Sequence, residues 1–141
     1  MRLLFVVSHY YPYTGGVEYV VKSVAERLAR RGHDVTVLCG ESNIEKSREE
    51  LVNSVHVVRW PVCAPGDAYY IPRMRHRLTD WLLSAVKDCD VVHFHNVHSV
   101  LAVYSLKVLK GSRVRKVLTP YYHDAGHTFL GGFCGGLALP C

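Results

Sequence analysis

The fold of this chain is decided by the stretch from residue 2 to residue 40, RLLFVVSHYYPYTGGVEYVVKSVAERLARRGHDVTVLCG. Residues 3–7 form an apolar run that predicts a buried strand over residues 3–8, and residues 35–39 predict a second strand. Between them, a loop ends in Gly15 and Gly16 and leads into an amphipathic helix. A strand that runs into a helix through glycines places bare backbone amides at the positive helix end, where a phosphate can bind. The stretch therefore predicts a strand, loop, helix and strand with an anion site at the loop.

The predicted helix carries apolar residues at the spacing of a single face. They are Val17, Val20, Val21, Val24 and Leu28. We expect this face to pack on a sheet, and we expect Glu18 to pair with Lys22 in water, since the two are four residues apart in the favourable order. Gly32 follows two arginines, which predicts a left-handed cap at the carboxyl end of the helix.

Strand candidates alternate with helical segments along the chain. They are residues 3–8, 35–39, 55–60, 90–94 and 115–119. Several are continuous runs of valine and leucine, as expected for strands that are buried on both faces. The alternation predicts an α/β fold, a Rossmann-like parallel sheet with helices on both faces. Ligands of such sheets bind beyond the carboxyl ends of the strands, in the loops that hold Gly15, Gly16, His95 and His123.

Composition restricts the classes of partner. The 141 residues suit one domain, with 49% hydrophobic and 21% charged residues. The formal charge of +5 favours anionic partners, but no zinc-finger, RNP-type or basic-zipper signature accompanies it, so nucleic acid is not expected. The five cysteines include no C-x-x-C pair that would indicate a zinc or redox site. No segment approaches the roughly 20 apolar residues that span a bilayer, and we predict a cytoplasmic protein.

Three segments together resemble a known family. Residues 8–40, SHYYPYTGGVEYVVKSVAERLARRGHDVTVLCG, resemble the amino-terminal signature of the family 4 retaining glycosyltransferases of the GT-B fold. Residues 90–96, DVVHFHN, resemble the fourth strand of that family and its end. Residues 117–124, VLTPYYHD, resemble the fifth strand and a loop that bears a histidine. The resemblance covers nearly the whole chain and weakens after about residue 128.

The resemblance implies an activity that is divided between two domains. The intact enzyme would transfer a hexose, with retention, from a nucleotide-diphosphate sugar to a glycan, lipid-linked or small-molecule acceptor. Residues 1–141 would be a single, incomplete amino-terminal domain on the acceptor side, and the carboxyl-terminal donor-binding domain would be missing. We therefore expect this chain alone to be inactive. It is interpreted as a fragment or as one subunit of a split enzyme, with the donor domain in cis or in trans. The nucleotide sugar is the donor substrate, and no other cofactor and no metal is expected.

The resemblance also assigns donor-side residues. Gly15 and Gly16 would face the donor diphosphate, although glycines can also simply make a tight turn into a helix. His123 would lie against the transferred sugar, and Asp124 could orient it. Without the resemblance, His123 reads as a loop histidine that caps local backbone, and Asp124 as the start of a turn.

A second set of residues is predicted to bind the acceptor sugar. They are His9, Tyr10, Tyr11, Tyr13, Glu18, His95 and Asn96. The tyrosines offer ring faces and hydroxyls, but they could equally pack the loop onto its own sheet. For Glu18 the alternative is the ion pair with Lys22.

Two other functions compete with sugar transfer. One is a non-catalytic module that binds a phosphate ligand at the Gly15-Gly16 loop. The other is a zinc-dependent hydrolase, because His93, His95 and His98 have the H-x-H-x-x-H spacing of metallo-β-lactamase-like enzymes. Val97 stands where that motif usually has a carboxylate, which ranks the hydrolase a distant third.

Residues 73–87 predict a helix that is basic at its start. Arg73, Arg75 and Arg77 precede Trp81, a combination that could lie on the anionic inner face of a membrane. The commoner alternative is a helix that covers the sheet with its basic end in water.

Overall fold

The computed structural model describes residues 1–121, which form a mixed sheet covered by helices on both faces. The elements follow in this order: β1 (Arg2–Val7), α1 (Gly16–Arg30), β2 (Asp34–Glu41), β3 (Arg48–Val52), β4 (Val55–Cys63), β5 (Ile71–Pro72), α2 (Arg75–Ala85), β6 (Val91–His95), α3 (Val100–Val108) and β7 (Arg115–Thr119). A short 3₁₀ turn, Pro65–Asp67, lies between β4 and β5. All predicted strands are present, with shifted ends at most.

The order of strands across the sheet is β3-β4-β2-β1-β6-β7. β1 lies between β2 and β6 and runs parallel to both, and β2 with β4 and β6 with β7 are also parallel pairs. The carboxyl ends of these five strands therefore share one edge of the sheet. This is the Rossmann-like arrangement that the alternation of strands and helices predicts.

The sheet is not wholly parallel, which corrects one part of the prediction. β3 and β5 each pair antiparallel with β4. β3 and β4 form a hairpin whose two turn residues, Asn53 and Ser54, both have positive φ, at 49° and 68°. The apolar pattern missed β3 because it begins with three charged residues, as suits an edge strand that must not pair with other chains. Ion pairs hold it: Arg48 lies 2.9 Å from Glu41.

Two hydrophobic clusters lie on the two faces of the sheet. Alternate residues of β1 point to each, as the pleat of a strand requires: Leu4 and Val6 to one, Phe5 and Val7 to the other. The first cluster includes buried residues of α2 and α3, and the second includes buried residues of α1. Helices on both faces are therefore confirmed.

The face that α1 buries is narrower than predicted. Val21 and Ala25 are fully buried against the sheet, but Val20 and Val24 are 43% and 41% exposed. The predicted cap is present, since Gly32 has a φ of 85° and its amide donates to the carbonyl of Ala29 at 2.9 Å.

Helix α2 covers the sheet, as in the alternative that the sequence left open. Leu78 and Leu82 are fully buried, and the Trp81 ring lies 6.4 Å from that of Trp60. Trp81 is thus partly buried in the core, whereas Arg73, Arg75 and Arg77 are exposed. Among residues 1–121, no helix is long and apolar enough to cross a membrane.

Candidate functional site

Loops converge at the edge of the sheet where the parallel strands end. Residues 8–15 follow β1, residues 64–70 follow β4, residues 96–99 follow β6, and residues 120–121 follow β7. Hydrogen bonds tie the loops together: the amide of Val100 donates to the carbonyl of Tyr69 at 2.7 Å, and that of Asn96 donates to Thr119 at 3.0 Å. This is the edge at which open α/β sheets bind ligands.

A buried arginine anchors the β1–α1 loop from below. Arg59 of β4 is only 3% exposed, and its Nη2 donates to the carbonyl of Tyr11 at 2.5 Å. Its charge is balanced by hydrogen bonding to Glu50 and by Glu41 at 3.6 Å. Arg59 was not predicted from the sequence. The available signal was a lone formal charge inside an otherwise apolar strand, with glutamates on both neighbouring strands.

The loop tyrosines divide between the core and the surface. Tyr10 is fully buried against the cluster beneath α1, and burial raises the pKa of its phenol. Its side chain is therefore inaccessible to an acceptor, and the packing alternative accounts for it. Tyr11 and Tyr13 are 46% and 41% exposed and remain accessible.

His9 joins the β1–α1 loop to the loop after β4. Its ring stacks on that of Tyr13, with centroids 4.3 Å apart, and meets the edge of Tyr70 at the same distance. Its Nε2 lies 3.8 Å from Asp67 Oδ1. Burial lowers the pKa of His9, while the carboxylates of Asp67 and Glu18 oppose that shift. His9 is thus a buried spacer behind Tyr13, with Asp67 as a partner that the sequence did not indicate.

Gly15 and Gly16 form the start of α1. Gly15 is the N-cap, with no side-chain cap, and Gly16 is the first helical residue. The first helical hydrogen bond runs from the amide of Tyr19 to the carbonyl of Gly15. Among the described residues no partner accepts from the amides of Gly16, Val17 and Glu18, which leaves three donors at the positive end of the helix dipole. The structure thus exposes the amide donors that the glycines predicted.

The carboxylate of Glu18 turns back over this helix start. A Cβ at Gly15 would lie 2.2 Å from Glu18 Oε2, so only glycine leaves room for that position. The expected ion pair with Lys22 is wrong, because Lys22 lies 2.8 Å from Glu26 instead. Glu18 therefore has no salt-bridge partner among residues 1–121, and its charge is available at the site.

A surface cavity of about 440 Å³ lies beside the helix start. Its lining, which we call the tyrosine cavity, consists of Tyr11, Tyr13, Thr14, Gly15, Glu18, Tyr19 and Lys22. Lys22 Nζ lies 5.2 Å from the ring centroid of Tyr11, and Tyr19 is 73% exposed. The cavity combines aromatic walls with a few polar groups, as small-molecule sites do. Tyr11, Tyr13 and Glu18 were predicted as binding residues, but Tyr19 was not, because it lies at an outward position of α1.

The histidines of β6 form a second, buried part of the site. His95 is 3% exposed, its ring lies 3.9 Å from that of His93, and both rings contact Phe5. Burial, with a smaller contribution from His93, lowers the pKa of His95 to about 3, so the ring is neutral. Its Nδ1 lies 3.3 Å from the hydroxyl of Tyr121. His95 Nε2 is buried and has no hydrogen-bond partner in the described chain.

Tyr121 borders this buried part, since its ring stacks on that of His95 with centroids 6.0 Å apart. Burial raises the pKa of Tyr121, and the charge of Glu18 adds a smaller shift in the same direction. Asn96 follows His95 with a φ of 70°, and its Oδ1 accepts from the amide of His98 at 3.0 Å. The side-chain oxygen of Asn96 therefore already bonds within the loop, while its side-chain nitrogen has no hydrogen-bond acceptor among residues 1–121.

Two further expectations concern His123 and metals. His123 and Asp124 lie outside the described residues, so their assigned roles stay predictions. Within residues 1–121, no group of three or more His, Cys, Asp or Glu side chains could hold a metal ion. His93 uses Nε2 to contact Thr119 Oγ1 at 2.8 Å, and His98 is exposed on the loop. The histidine spacing thus does not become a zinc site in this part of the chain.

Comparison with solved structures identifies proteins of similar fold. The chain resembles the sucrose-phosphate synthase of Thermosynechococcus elongatus, with 17% identity and a TM-score of 0.56 over 86% of this chain and 33% of that one. It also resembles an Escherichia coli structure described as trehalose-6-phosphate bound with UDP-2-fluoro glucose, with 15% identity and a TM-score of 0.54 over 84% of this chain and 32% of the other. This chain spans about a third of the length of each. No curated protein matches it significantly.

The family is shown by sequence. The profile described as Glycosyltransferase Family 4 matches residues 14–137, which is most of the chain. The match begins in the glycine loop and takes in the helix start, the tyrosine of α1 and both histidines of β6. The chain therefore belongs to glycosyltransferase family 4, and its fold is that of the amino-terminal domain of the GT-B glycosyltransferases.

Proposed function

We propose that the intact protein transfers a hexose from a nucleotide-diphosphate sugar, with retention at the anomeric carbon, and that this chain supplies its acceptor-side domain. The observation that carries the proposal is the start of α1. The amides of Gly16, Val17 and Glu18 are free of protein partners in the described chain and adjoin the tyrosine cavity at the carboxyl edge of the sheet. A donor diphosphate at the amides and an acceptor in the cavity would be neighbours.

The helix start suits the charge that develops during transfer. When the bond from the hexose to the diphosphate breaks, negative charge grows on the leaving group, and fixed amide donors with the positive end of a helix dipole stabilise it. These donors are already in place before substrate binds, so little energy is spent on arranging them. The carboxylate of Glu18 would turn away from Gly15 and accept a hydrogen bond from an acceptor hydroxyl.

The remaining residues have supporting roles in this proposal. Tyr121, with His95 as a neutral partner, would offer a hydroxyl to the sugar. By family resemblance, His123 would position the transferred hexose. Asp124, its neighbour in the sequence, would orient His123. The acceptor is a glycan, a lipid-linked glycan or a small molecule. We propose no cofactor besides the nucleotide sugar and no role in nucleic-acid binding.

The donor-binding half of the cleft would come from a second domain, in cis or in trans. We propose a cytoplasmic enzyme. If the acceptor is lipid-linked, the exposed Arg73, Arg75 and Arg77 would contact the anionic membrane surface that holds it. Without the second domain the donor sugar has no opposing wall, so the chain alone should not catalyse transfer.

Transfer assays test the proposal. The chain alone, and the product of its full reading frame if that continues past Cys141, are incubated with UDP- and GDP-hexoses and a set of glycoside acceptors. We expect no product from the chain alone and a retained anomeric configuration, read by ¹H NMR, when the second domain is present. Transfer by the chain alone would refute the proposal that a second domain is required. A product with inverted anomeric configuration would refute retention. Nucleotide binding without transfer by the full-length protein would favour a non-catalytic phosphate-binding module.

A further inference from the structure

The tyrosine cavity has aromatic walls that are fixed from behind. The ring of Tyr13 stacks on His9, which is 9% exposed, so one face is held and the other is free. The backbone of Tyr11 is held by the buried Arg59. Rigid tyrosine rings provide contact area at little entropic cost, and their hydroxyls can bond to a polar ligand. Such walls suit the C–H face and the hydroxyls of a pyranose ring.

The charge inside the cavity is negative. Glu18 has no salt-bridge partner in the described chain, whereas the single cation of the lining, Lys22, is neutralised by Glu26 at 2.8 Å. Asp67 lies behind the Tyr13 wall, 3.8 Å from His9. A second anion in the cavity would meet the carboxylate of Glu18, and an ammonium group would be attracted both by that carboxylate and by the ring faces.

This local charge opposes the charge of the whole chain. The formal charge is +5, but exposed cations lie elsewhere, at the carboxyl end of α1 and at the start of α2. The three amides at the start of α1 provide for one anionic group, which the proposed function gives to the donor diphosphate. Nothing in the lining provides for another.

We infer that the tyrosine cavity is the acceptor subsite and that it selects a neutral or amine-bearing sugar over a phosphorylated or carboxylated one. The inference rests on the proposed function and adds the chemical class of the acceptor. The carboxylate of Glu18 disfavours an acceptor that carries a phosphate next to the reacting hydroxyl, and the same carboxylate favours a 2-amino sugar.

Titration of the ¹⁵N-labelled chain tests this selection. The ligands are methyl glucoside, methyl glucosaminide, glucose 6-phosphate and glucuronate, and the signals are the amides of Thr14, Gly15 and Tyr19. We expect methyl glucosaminide to bind about two- to fivefold more tightly than methyl glucoside. Glucose 6-phosphate and glucuronate should bind more weakly than methyl glucoside by a similar factor. In Glu18→Gln this ranking by charge should collapse. Tyr19→Ala should weaken every ligand alike, and Tyr19→Phe should retain most of the ring contact.

The matched control is Val24→Ala, which removes an exposed side chain from the same helix outside the cavity and should change no affinity. Folding of each variant is checked by its amide spectrum. Tight binding of glucose 6-phosphate at these amides, or a charge ranking that survives Glu18→Gln, would overturn the inference. A separate titration with UDP distinguishes failure of this inference from failure of the proposed function. If UDP binds at Gly16 but no glycoside binds at the cavity, only the inference is overturned. If neither ligand binds, the proposed function is overturned as well.

Discussion

The two parts of the site differ in exposure although they share one edge of the sheet. The rings of the tyrosine cavity are open to solvent, with Tyr19 73% exposed, whereas His95, at the end of the neighbouring strand, is 3% exposed. The loop side, by which we mean residues 8–15 with Glu18, Tyr19 and Lys22 of α1, projects past the end of β1. No element of residues 1–121 packs over its rings. The histidine side, which consists of His93 and His95, is enclosed: the ring of His95 lies between those of Phe5 and Tyr121.

The same two parts differ in charge. The carboxylate of Glu18, beside the cavity, has no salt-bridge partner among residues 1–121, whereas burial keeps His95 neutral. An exposed charge can change partners when a ligand arrives, and a neutral ring packed in the core cannot. We therefore propose that the residues of the tyrosine cavity recognise the acceptor, while His93 and His95 pack beneath Tyr121.

Replacing Arg59, which holds the loop after β1, should change the free energy of unfolding more than any other substitution proposed below. Arg59→Met should lower the free energy of unfolding by about 3 kcal/mol, because it leaves Glu50 without its buried partner and frees the carbonyl of Tyr11. Urea unfolding measures the loss, and amide spectra should show the loop resonances broadened. Arg48→Met, which removes an exposed member of the same ion-pair group, should cost much less. Equal losses in the two variants would mean that Arg59 does not hold the loop.

The neutral state of the histidine side predicts how stability depends on pH. The pKa of His95 is lowered from 6.5 to about 3, so between these values the unfolded chain binds a proton that the folded chain does not. The free energy of unfolding should therefore fall as the pH drops below 6.5, with His95 contributing up to about 1.4 kcal/mol per pH unit. Burial lowers the pKa of His9 and His93 too, which adds to the slope in the same direction.

Urea unfolding at pH 7, 6, 5 and 4 isolates the share of His95 when His95→Gln is compared with the parent chain. The slope should be shallower in His95→Gln and unchanged in His98→Gln, which alters an exposed histidine of the same loop. An unchanged slope in His95→Gln would show that His95 is already protonated or solvated in the folded chain.

A smaller effect separates the buried tyrosine of the loop from the exposed ones. The hydroxyl of Tyr10 is buried and has no hydrogen-bond partner in the described chain, so Tyr10→Phe should raise the free energy of unfolding by about 1 kcal/mol. Tyr19→Phe should leave it unchanged, because that hydroxyl is in water. A loss of stability in Tyr10→Phe would reveal a partner for the hydroxyl.

A small change in UDP affinity should show whether the carboxylate of Glu18 repels phosphate from the start of α1. In Gly15→Ala the added methyl would collide with the carboxylate of Glu18 and turn it outward, whereas in Gly16→Ala the methyl meets no atom within 4 Å. Because the displaced carboxylate no longer repels phosphate, UDP should bind about twofold more tightly to Gly15→Ala than to Gly16→Ala. Calorimetry compares the two affinities, and the reverse order would show that Glu18 does not oppose the anion.

Much of the fold could be predicted from local sequence because the buried strands are continuous apolar runs. The same logic fails for β3, because its charged residues form ion pairs with Glu41 of β2 and Arg59 of β4 that no local pattern shows. It also assigns Val20 and Val24 to the buried face of α1. Periodicity gives the direction of an apolar stripe but not its width, which depends on how far the sheet extends beneath the helix.

The site was predictable to the extent that it is built from backbone. Gly15 and Gly16 indicated a helix start with bare amides, and no acceptor among residues 1–121 bonds to the amides of Gly16, Val17 and Glu18. Phosphate binding there stays a prediction. Whether each aromatic residue of the loop lies inside or outside could not be read, because Tyr10 and Tyr11 are adjacent in sequence and point to different environments. Arg59 was missed since its role arises from strands β2, β3 and β4 meeting in space.

An amide titration of the ¹⁵N-labelled chain with UDP tests whether the start of α1 binds the donor diphosphate. We predict saturable shifts of Gly16, Val17 and Glu18, with the ring signals of His95 unmoved. Shifts confined to the exposed arginines at the start of α2, around Arg75 and Arg77, would mean that UDP follows net charge and not the start of α1. That result, or the absence of any saturable shift, would contradict the account.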